Sequence, residues 1–520
     1  MVPTQDTPRV TVIGAGLGGL SAAIRLANAG YAVDLFEKQS GPGGKAFSER
    51  IGAYRFDTGP SLFTLRPVFA QLFAETGRSI DDYLTLTPLE QICRYFWRDG
   101  ARIVSWTDSE RFAREFHQAF GEDPAHLRSF LQYSERIHRV TGTLFLERSL
   151  HEWNTIFTRE FWRSVVQLHK IDAFRTMDWA NGAFFGSAHI RQFFNRYATY
   201  NGSDPYQTPA TLNIIPHVEY GIGASSVAGG IYAVPRALER LARDVGVKIH
   251  YEVAVEEILT TGRPGFRGRI GAALFRSGHR ARVKGVRVNG SEHPADIVVS
   301  NADVTPTYKR LLGDTRAPLY KRYQRLEPSS SGLVFYWGIR KRFPELGLHN
   351  IFFSDDYREE FRDIFQRQRC PDDPTIYLNI TAKEGAPEDA PADGENWFIL
   401  VNAPADAGQD WQAEADRVRE AVLRRLSGEL GTDIEAVLEE EARMTPPDIA
   451  AKTDSHRGSL YGIASNSRGA AFLRHPNRSR RYRGLYFVGG SAHPGGGMPL
   501  VVLGGRIVAD LVRRHHPIKR

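Results

Sequence analysis

The stretch Arg9-Val-Thr-Val-Ile-Gly-Ala-Gly-Leu-Gly-Gly19 decides the fold. It starts with a β-branched run typical of a buried strand, and apolar residues follow at helical spacing over positions 20–27. Between the two, Gly14 permits a tight turn, Gly16 lets a pyrophosphate approach the backbone, and Gly19 lets helix and strand pack closely. The pattern predicts strand, glycine turn and helix, with a dinucleotide phosphate bound at the helix N-terminus.

The second half of this unit is predicted from Gly30, which ends the helix, and from a strand over residues 31–36. Glu37 closes that strand eighteen residues after Gly19, in position to accept hydrogen bonds from ribose hydroxyls. NAD and FAD both use such a unit. A glycine turn in an α/β domain that binds no nucleotide is the alternative, and it requires all these features to coincide by chance.

The whole chain has 520 residues and a mass of 58.4 kDa, which suggests about three domain-sized units. An apolar fraction of 42% with 24% charged residues excludes global disorder. Cys93 and Cys370 are the only cysteines, so the sequence predicts a reducing compartment, no disulfide framework and no metal site. Neither a signal peptide nor a transmembrane segment is predicted.

The net charge is +7, but the lysines and arginines are interspersed with 60 acidic residues along the chain. A basic cluster over residues 263–284 is predicted to be an exposed hairpin, because it has few of the aromatic stacking partners that nucleic-acid binding needs. We therefore expect no nucleic-acid partner. A patch that faces anionic lipid is the second explanation of the charge.

The middle of the chain is predicted to contain a further helix and several strands. A glycine entry leads into an amphipathic helix over residues 229–242, and a strand region follows at 247–258. Residues 283–288, the Asn289-Gly290 turn and residues 296–303 are predicted as strand, turn and strand, a pattern that any hairpin shares.

The C-terminal segment Gly484-Leu-Tyr-Phe-Val-Gly-Gly-Ser-Ala-His-Pro-Gly-Gly-Gly-Met-Pro-Leu-Val-Val-Leu-Gly-Gly-Arg506 is predicted as a strand, a glycine-rich loop and a helix that opens at Pro499. Backbone N–H groups near residues 498–501 suit the acceptor edge of an isoalloxazine ring and would stabilise the negative charge of a reduced flavin. A buried glycine-rich turn is the alternative.

Two further stretches, Gly41-Pro-Gly-Gly-Lys45 and Phe56-Asp-Thr-Gly-Pro-Ser61, add a second glycine turn and a cation near the first phosphate site. This arrangement resembles the FAD-binding amine-oxidase-like superfamily, with a lysine where that superfamily carries an arginine. Residues 487–505 resemble the C-terminal signature of bacterial carotenoid desaturases of the phytoene desaturase type, which lack the Gly-Asp pair of most other amine oxidases. Residues 194–219 are similar to the branch that desaturates 1-hydroxycarotenoids at the 3,4 position.

The resemblance implies an α/β fold with a Rossmann-like FAD-binding domain of the amine-oxidase-like (GR2) type, a mixed-sheet substrate domain, and a helical subdomain with a candidate membrane-facing surface. It places the FAD-binding domain at residues 1–75, 225–305 and 471–520, the substrate domain at 76–106, 200–224 and 306–470, and the helical subdomain at 107–199. FAD is expected to be noncovalent, because no recognised attachment motif is present. The expected FAD-binding residues are Gly14, Ala15, Gly16, Leu17, Gly18, Gly19, Glu37, Lys38, Gly44, Lys45, Thr58, Gly59, Pro60, Ser61, Val255, Asn301, Ala302, Gly489, Gly490, Met498, Pro499, Leu500 and Val501.

Desaturation of a polyene needs a hydride acceptor, which FAD supplies, and a group that takes a proton. His217 and Glu219 are candidates because they interrupt an apolar run, and His493 beside the flavin loop is the third. Structural hydrogen bonds, or shaping of the loop by His493, explain these residues equally well. Aromatic residues between Phe130 and Phe194 are candidate tunnel walls, although most are expected to be core packing.

The expected substrate is a long carotenoid with a hydroxylated end group. Strong selection of a hydroxyl requires polar groups that are left unpaired in its absence. Local hydrogen bonding within a loop is the alternative role for such side chains. The candidates are Thr199, Asn201, Thr211, Asn213 and His217.

The other expected partners are membrane lipid and, as electron acceptor, quinone or oxygen. Residues 143–166 mix bulky apolar and basic side chains, as interfacial helices do, so the protein is predicted to be cytoplasmic and attached peripherally to the inner face of the cell membrane. An ordinary core helix is the alternative. Competing functions are phytoene desaturase, carotenoid cis–trans isomerase, amine or protoporphyrinogen oxidase, and a prenyl-lipid carrier without a redox role.

Overall fold

The computed structural model describes residues 7–141, 171–262, 281–466 and 474–518. Its nucleotide sheet has five strands, all parallel. The chain leaves the central strand toward one side of the sheet and returns on the other, which creates the crevice where such sheets bind nucleotides. The strand order is Lys248–His250, Ala32–Phe36, Arg9–Ile13, Ile297–Ser300 and Leu485–Phe487.

Helix Leu17–Asn28 of the nucleotide unit packs closely against the C-terminal helix Met498–His515. Ser21 Oγ donates a hydrogen bond of 2.7 Å to the Val502 carbonyl, and a Cβ at Gly505 would lie 2.3 Å from that hydroxyl oxygen. The approach of the two helices therefore requires glycine at position 505. This contact fixes the glycine-rich loop before the C-terminal helix against the first helix of the chain.

A larger, mixed sheet has seven strands. All neighbouring strands in it are antiparallel except His349–Phe352 and Gln91–Phe96, which are parallel. Strand Ser331–Ile339 is buried along its whole length, as expected of a strand that is covered on both faces. The strand order is Leu438–Met444, Ser331–Ile339, Glu395–Ala403, Ile376–Asn379, His349–Phe352, Gln91–Phe96 and Arg102–Trp106.

Three smaller sheets contain the other strands of the described residues. The first joins Val255–Thr260, Ala281–Val288, Ser291–Pro294 and Tyr482–Arg483. The second pairs Ser48–Ile51 with Tyr54–Asp57. The third pairs Ala224–Val227 with both Phe63–Thr64 and Leu86–Pro88.

The helices cover both large sheets and, within the described residues, form a separate helical region over 109–141 and 177–195. The α-helices in the described ranges are Leu17–Asn28, Arg66–Ala74, Ser109–Phe120, Pro124–Thr141, Met177–Gly182, Ala188–Asn195, Ala233–Asp244, Val304–Pro306, Pro318–Tyr323, Tyr357–Arg362, Trp411–Leu430, Ile434–Val437, Pro446–Thr453 and Met498–His515. Short 3-10 and π turns lie at Ile80–Asp82, Arg196–Asn201, Ala210–Ile214, His217–Ile222, Thr307–Leu311, Asp363–Arg367, Thr381–Lys383, Pro387–Asp389 and His456–Gly458.

The helical region packs around an aromatic core that includes the fully buried Phe130, Phe193 and Phe194. These rings therefore act as core packing, the second of the two roles considered for them. The segment 143–166, predicted to be an interfacial helix, lies outside the described residues. In the part of the chain that the structure describes, no helix is both long and apolar enough to cross a bilayer.

The predicted fold class is confirmed, and the βαβ unit has the expected strand Arg9–Ile13 followed by a helix from Leu17. The prediction for residues 283–303 was wrong in one respect. The partner across the Asn289-Gly290 turn is the exposed strand Ser291–Pro294, because a two-residue turn makes the next strand begin at once. Strand Ile297–Ser300 joins the nucleotide sheet instead. The domain boundaries stay a prediction.

Candidate active site

One cavity of about 670 Å³ extends from the carboxyl edge of the nucleotide sheet to the seven-stranded sheet. All five strands of the nucleotide sheet end at this edge, and residues just beyond four of them line the cavity. They are Gly14, Glu37, Asn301 and Gly489. Because the carboxyl ends of parallel strands meet there, segments far apart in sequence form one wall.

The glycine turn packs so closely against the rest of the protein that several of its positions have no space for a Cβ. A Cβ on Gly16 would lie 2.6 Å from Asn301 Nδ2, and a Cβ on Gly19 would lie 2.1 Å from the carbonyl oxygen of Gly14. Gly14 itself adopts a φ of +96°, which favours glycine. This backbone cradle fits the pyrophosphate of a dinucleotide such as a flavin nucleotide.

Glu37 is buried at the same edge, where its carboxylate accepts hydrogen bonds from two backbone N–H groups. The Ala15 N–H lies 2.7 Å from Oε2 and the Gln39 N–H lies 2.9 Å from Oε1. These bonds hold the acid in the cavity wall, where its remaining acceptor capacity suits ribose hydroxyls.

Lys45 lines the cavity, but its ammonium group already has two partners. Nζ donates to the carbonyls of Ser459 and Leu460 at 2.9 and 2.7 Å. Desolvation by burial lowers the pKa of Lys45 to about 8, while the charge of Asp303 acts in the opposite direction. Lys45 therefore holds the backbone of residues 459 and 460 in the cavity wall by hydrogen bonds, a role that the sequence did not indicate.

The first turn of helix Met498–His515 also lines the cavity. Pro499 has no N–H, and the Val501 N–H donates to the Gly497 carbonyl at 3.1 Å. The backbone donors of this turn are therefore Met498 and Leu500, a narrower set than the four residues expected.

The cavity wall contains every predicted FAD-binding residue except Ala15 and Gly19, which support the wall from behind. Those in the wall are Gly14, Gly16, Leu17, Gly18, Glu37, Lys38, Gly44, Lys45, Thr58, Gly59, Pro60, Ser61, Val255, Asn301, Ala302, Gly489, Gly490, Met498, Pro499, Leu500 and Val501.

Glu219, one of the predicted proton acceptors, lies in the wall toward the seven-stranded sheet. It is only 1% exposed, on the one-turn π-helix His217–Ile222. Its Oε1 accepts from the Tyr197 hydroxyl at 2.8 Å and its Oε2 accepts from the Tyr200 hydroxyl at 2.6 Å. Arg196 Nη2 lies 3.8 Å from Oε1.

Arg196 and the tyrosines around Glu219 are site residues that the sequence analysis missed. The Arg196 guanidinium lies over the rings of Tyr197 and Tyr200, with 4.5 and 5.4 Å between the guanidinium carbon and the ring centroids. Burial raises the pKa of both tyrosines well above the ordinary value, so their hydroxyls keep their protons. A cation inside an aromatic run, Arg196-Tyr-Ala-Thr-Tyr200, was the available signal.

The two histidine candidates differ in position. His493 lines the cavity, and its own backbone is held by the His475 carbonyl and by Asn477 Nδ2. The ring of His217 lies outside the lining residues and packs against His138 with ring centroids 4.9 Å apart. Burial lowers the pKa of His217. Their catalytic roles stay predictions, and His217 has no support from the cavity geometry.

The polar groups proposed for hydroxyl selection are mostly engaged with the protein itself. Thr199 Oγ1 donates to the Arg196 carbonyl at 2.8 Å, and Thr211 Oγ1 donates to the Ile171 carbonyl at 2.7 Å. Asn201 lines the cavity, whereas Asn213 Nδ2 donates to Asn181 Oδ1 outside the lining. The alternative of local hydrogen bonding therefore describes Thr199, whereas Thr211 bonds to a carbonyl 40 residues away in sequence.

A buried histidine that the sequence did not single out completes the wall. His349 Nδ1 lies 2.8 Å from the Tyr377 hydroxyl and 3.1 Å from Asn379 Nδ2. The Tyr377 hydroxyl is also hydrogen-bonded to Ser61 Oγ, in the stretch predicted to bind FAD. Desolvation and the charge of Arg196 lower the pKa of His349 to about 3, so the ring is neutral near pH 7.

The chain is similar to known proteins along nearly its whole length. A 1-hydroxycarotenoid 3,4-desaturase from Flavobacterium sp. (strain P99-3) is 40% identical over 504 residues, which cover 97% of this chain and 99% of that protein. A 4,4'-diapolycopene oxygenase from Methylomonas sp. is 37% identical, with 98% and 99% covered. An oxidoreductase structure from Methanosarcina mazei superposes with a TM-score of 0.60 over 96% of this chain and 100% of that one, at 16% identity, and so supports the fold alone.

The family model described as flavin containing amine oxidoreductase matches residues 17–513. The match begins at Leu17, at the end of the glycine turn, and continues through the seven-stranded sheet into the C-terminal helix. The resemblance inferred from the sequence is confirmed. The chain belongs to the flavin containing amine oxidoreductase family and is a flavin-dependent oxidoreductase.

Proposed function

We propose that the chain is a FAD-dependent carotenoid desaturase that introduces a 3,4 double bond into 1-hydroxycarotenoids. The observation that carries the proposal is one continuous cavity, with a dinucleotide cradle at one end and a largely apolar wall at the other. The full-length similarity to a relative of that name supports the choice of substrate.

The proposal includes noncovalent FAD. Gly16 would receive the pyrophosphate, Glu37 the ribose, and the first turn of helix Met498–His515 the flavin ring. Cys93 also lines the cavity, but burial raises its pKa to about 12, so the thiol stays protonated and is a poor nucleophile. This argues against attachment of the flavin to that sulfur.

The polyene end of the cavity would exclude water from the reacting carbons. Its apolar wall comes from two regions, the short turns near residue 214 and the seven-stranded sheet. Aliphatic and aromatic side chains there suit a long hydrocarbon by area and by shape. They include Leu212, Ile214, Ile215, Ile351, Phe398, Leu400 and Met444.

Desaturation removes two hydrogens from adjacent carbons, and bound FAD supplies the two-electron acceptor for the hydride. In the proposal the remaining proton leaves through the Tyr200 hydroxyl to Glu219, since both residues line the cavity and their oxygens are 2.6 Å apart. The hydroxyl gives its proton to the carboxylate as it receives one from the substrate carbon. Arg196 balances the charge of the carboxylate before the transfer.

Peripheral attachment to the inner face of the cell membrane, in the cytoplasm, is part of the same proposal. Phe174 lies just before helix Met177–Gly182 of the helical region and Trp179 lies within it, and they are 70% and 65% exposed. Exposed aromatic side chains are characteristic of membrane interfaces. We expect Phe174→Asp with Trp179→Asp to reduce flotation with anionic vesicles. Unchanged flotation of this double variant would contradict the attachment.

The decisive experiment is anaerobic incubation of the flavin-loaded enzyme with a 1-hydroxycarotenoid, with phytoene and with a matched hydrocarbon. We expect loss of oxidised flavin absorbance and a 3,4-desaturated product from the hydroxylated substrate. Conversion of phytoene alone would favour a phytoene desaturase, and a geometric isomer without flavin reduction would favour an isomerase. A terminally oxygenated product would favour the activity named for the second relative, and a protein that never binds flavin would favour a carrier.

Reoxidation completes the scheme, because reduced flavin must pass its electrons on. Quinone and oxygen are the acceptors included in the proposal. Mixing the anaerobically reduced enzyme with each acceptor in turn, while the recovery of oxidised flavin absorbance is recorded, distinguishes them.

A further inference from the structure

Three buried polar atoms in the cavity wall have no hydrogen-bond partner among the described residues. They are Arg196 Nε, His349 Nε2 and the hydroxyl oxygen of Tyr357. The three residues are 8%, 4% and 4% exposed, and each lines the cavity. A buried polar group without a partner costs roughly 1–3 kcal/mol, so three of them in one wall indicate a missing ligand.

The hydrogen bonds of His349 identify its unpartnered nitrogen as a donor. Asn379 Nδ2 donates to the Leu348 carbonyl at 2.9 Å, which fixes the orientation of that amide. The second N–H of the same amide points to His349 Nδ1 at 3.1 Å, so Nδ1 is the acceptor. A neutral ring with an accepting Nδ1 carries its proton on Nε2.

The other two atoms complete a mixed set of donors and acceptors. Arg196 Nε is a donor, and the Tyr357 hydroxyl both donates and accepts. The three residues lie around Tyr95, because Arg196 Nη2 donates to the Tyr95 hydroxyl at 2.9 Å and the Tyr95 ring stacks on Phe353, which packs edge-on against Tyr357. Strand His349–Phe352 pairs with the strand that contains Tyr95, and the charge of Arg196 lowers the pKa of His349. Glu219, 3.8 Å from Arg196, already balances that charge. The expected ligand is therefore neutral.

The region is close to the predicted flavin site. Hydrogen bonds link His349 to the Tyr377 hydroxyl and that hydroxyl to Ser61, one of the predicted FAD-binding residues in the cavity wall. In a 1-hydroxylated polyene only a few bonds separate the hydroxyl from the 3,4 carbons. A group that holds the hydroxyl must therefore lie near the atom that accepts the hydride.

We propose that Arg196 Nε, His349 Nε2 and the Tyr357 hydroxyl bind the tertiary hydroxyl of the substrate end group and so determine substrate specificity. This inference rests on the proposed desaturase function. The substrate oxygen accepts from the His349 and Arg196 N–H groups and donates its own proton to the Tyr357 oxygen. A hydrocarbon end group would leave all three atoms unpaired, and discrimination of this kind can reach ~10⁴-fold.

The test uses Tyr357→Phe, which removes one oxygen atom and no described hydrogen bond, so folding should be unaffected. Tyr83→Phe is the matched control, since the Tyr83 hydroxyl bonds to Asp244 at the surface. His349→Leu and His349→Gln form a second pair, in which glutamine retains an N–H donor. For each protein, kcat/KM is measured with a 1-hydroxylated polyene, its methyl ether and its parent hydrocarbon, beside flavin content and Tm.

We expect Tyr357→Phe to lower the hydroxyl-to-hydrocarbon ratio of kcat/KM about 3- to 10-fold, with wild-type flavin content and Tm. His349→Leu should lower the ratio at least as much, and His349→Gln should restore part of it. In the wild type the methyl ether should fall between the other two, because it accepts hydrogen bonds but cannot donate one. Tyr83→Phe should behave as the wild type.

An unchanged ratio in both Tyr357→Phe and His349→Leu would overturn the inference, and so would equal wild-type conversion of the alcohol and the hydrocarbon; the desaturase function would stand in either case. Quenching of tryptophan fluorescence by each polyene measures binding without turnover. If neither polyene is converted but the alcohol binds more tightly in a Tyr357-dependent way, the hydroxyl site stands and the proposed function fails.

Discussion

The cofactor end and the polyene end of the cavity are built in different ways. The cofactor end, which the glycine turn and the first turn of helix Met498–His515 form, is built from short sequence motifs at strand ends. Its shape depends on close backbone packing, as at Gly16 and Gly19. The polyene end draws its polar side chains from two segments about 150 residues apart, near Arg196 and near His349. Its specificity depends on buried side chains and their charges.

Because of this difference, the two ends of the cavity tolerate different kinds of substitution. A backbone cradle fails when any atom is added to it, whereas a side-chain network fails when one member is removed and leaves its partner buried and unpaired. The four predictions below test this contrast, two at each end of the cavity.

Gly19→Ala should have the largest effect, because the new Cβ would lie 2.1 Å from a backbone carbonyl oxygen that cannot move aside. We expect a loss of ~4 kcal/mol or more in unfolding free energy, and no flavin in the purified protein. The control is Gly428→Ala, on an exposed position of helix Trp411–Leu430 with no atom within 4 Å of the new Cβ. It should be neutral or stabilising by up to about 1 kcal/mol. Wild-type flavin content in Gly19→Ala would contradict the view that the backbone at the cofactor end does not tolerate an added atom.

Glu219→Leu should be next, since it leaves the Arg196 charge buried without its carboxylate. A destabilisation of ~3–5 kcal/mol is expected in urea unfolding. Glu219→Gln keeps an oxygen acceptor and the side-chain volume, so it should fold better but still lose ~10²-fold or more in kcat, because the amide cannot take the proton. Equal stability of Glu219→Leu and wild type would show that the network is not held by charge.

Glu360, beside Tyr357 at the polyene end, should make stability depend on pH. Burial raises its pKa from 4.5 to about 7, so between these values the folded protein keeps a proton that the unfolded chain releases. The contribution of Glu360 to the free energy of unfolding is complete below pH 4.5 and is lost as pH rises to 7, a change of up to ~3 kcal/mol.

Glu360→Gln should remove this pH dependence of stability. The contribution of Glu360 is measured at each pH as the difference in unfolding free energy between wild type and variant. His349 acts in the opposite sense. Its pKa is lowered from 6.5 to about 3, so stability rises with pH in that window, equally in both proteins. A difference curve that is flat between pH 4.5 and 7 would contradict the prediction for Glu360.

Glu37→Ala should have the smallest effect, because it removes hydrogen bonds at the cofactor end without adding an atom. We expect flavin affinity to fall about 10- to 100-fold, as for one charge-assisted hydrogen bond to ribose, with a readily measured change in flavin retention on dilution. Asp34→Asn, on the same strand and hydrogen-bonded to His250, is the control. If Glu37→Ala retains flavin as tightly as this control does, the acid has no role in binding ribose.

The sequence was sufficient to bring the predicted cofactor residues into one cavity wall, because each motif among them is local. Gly14, Glu37 and Gly489 follow predicted strands, and parallel strands bring their carboxyl ends together. Exceptions arose from contacts over long distances, as when Lys45 proved to bind the carbonyls of residues 459 and 460.

The polyene end could be predicted only where a polar residue interrupted an apolar run, as Glu219 does. His349 and Tyr357 lie on a strand and a helix whose local patterns are ordinary, and they become site residues only because the seven-stranded sheet brings them to the cavity. His217 illustrates the opposite failure, since it interrupts the same apolar run but its ring lies outside the lining.

The shared wall of the cavity has a consequence for how the protein is assembled in the cell. With both proposed ligands in one continuous space, a polyene that enters an empty chain would extend into the room that the cofactor needs. The proposed function then implies an order of maturation, with nucleotide bound before pigment. Chains made with abundant pigment and scarce flavin would be blocked, and flavin supply during synthesis would set the yield of active protein.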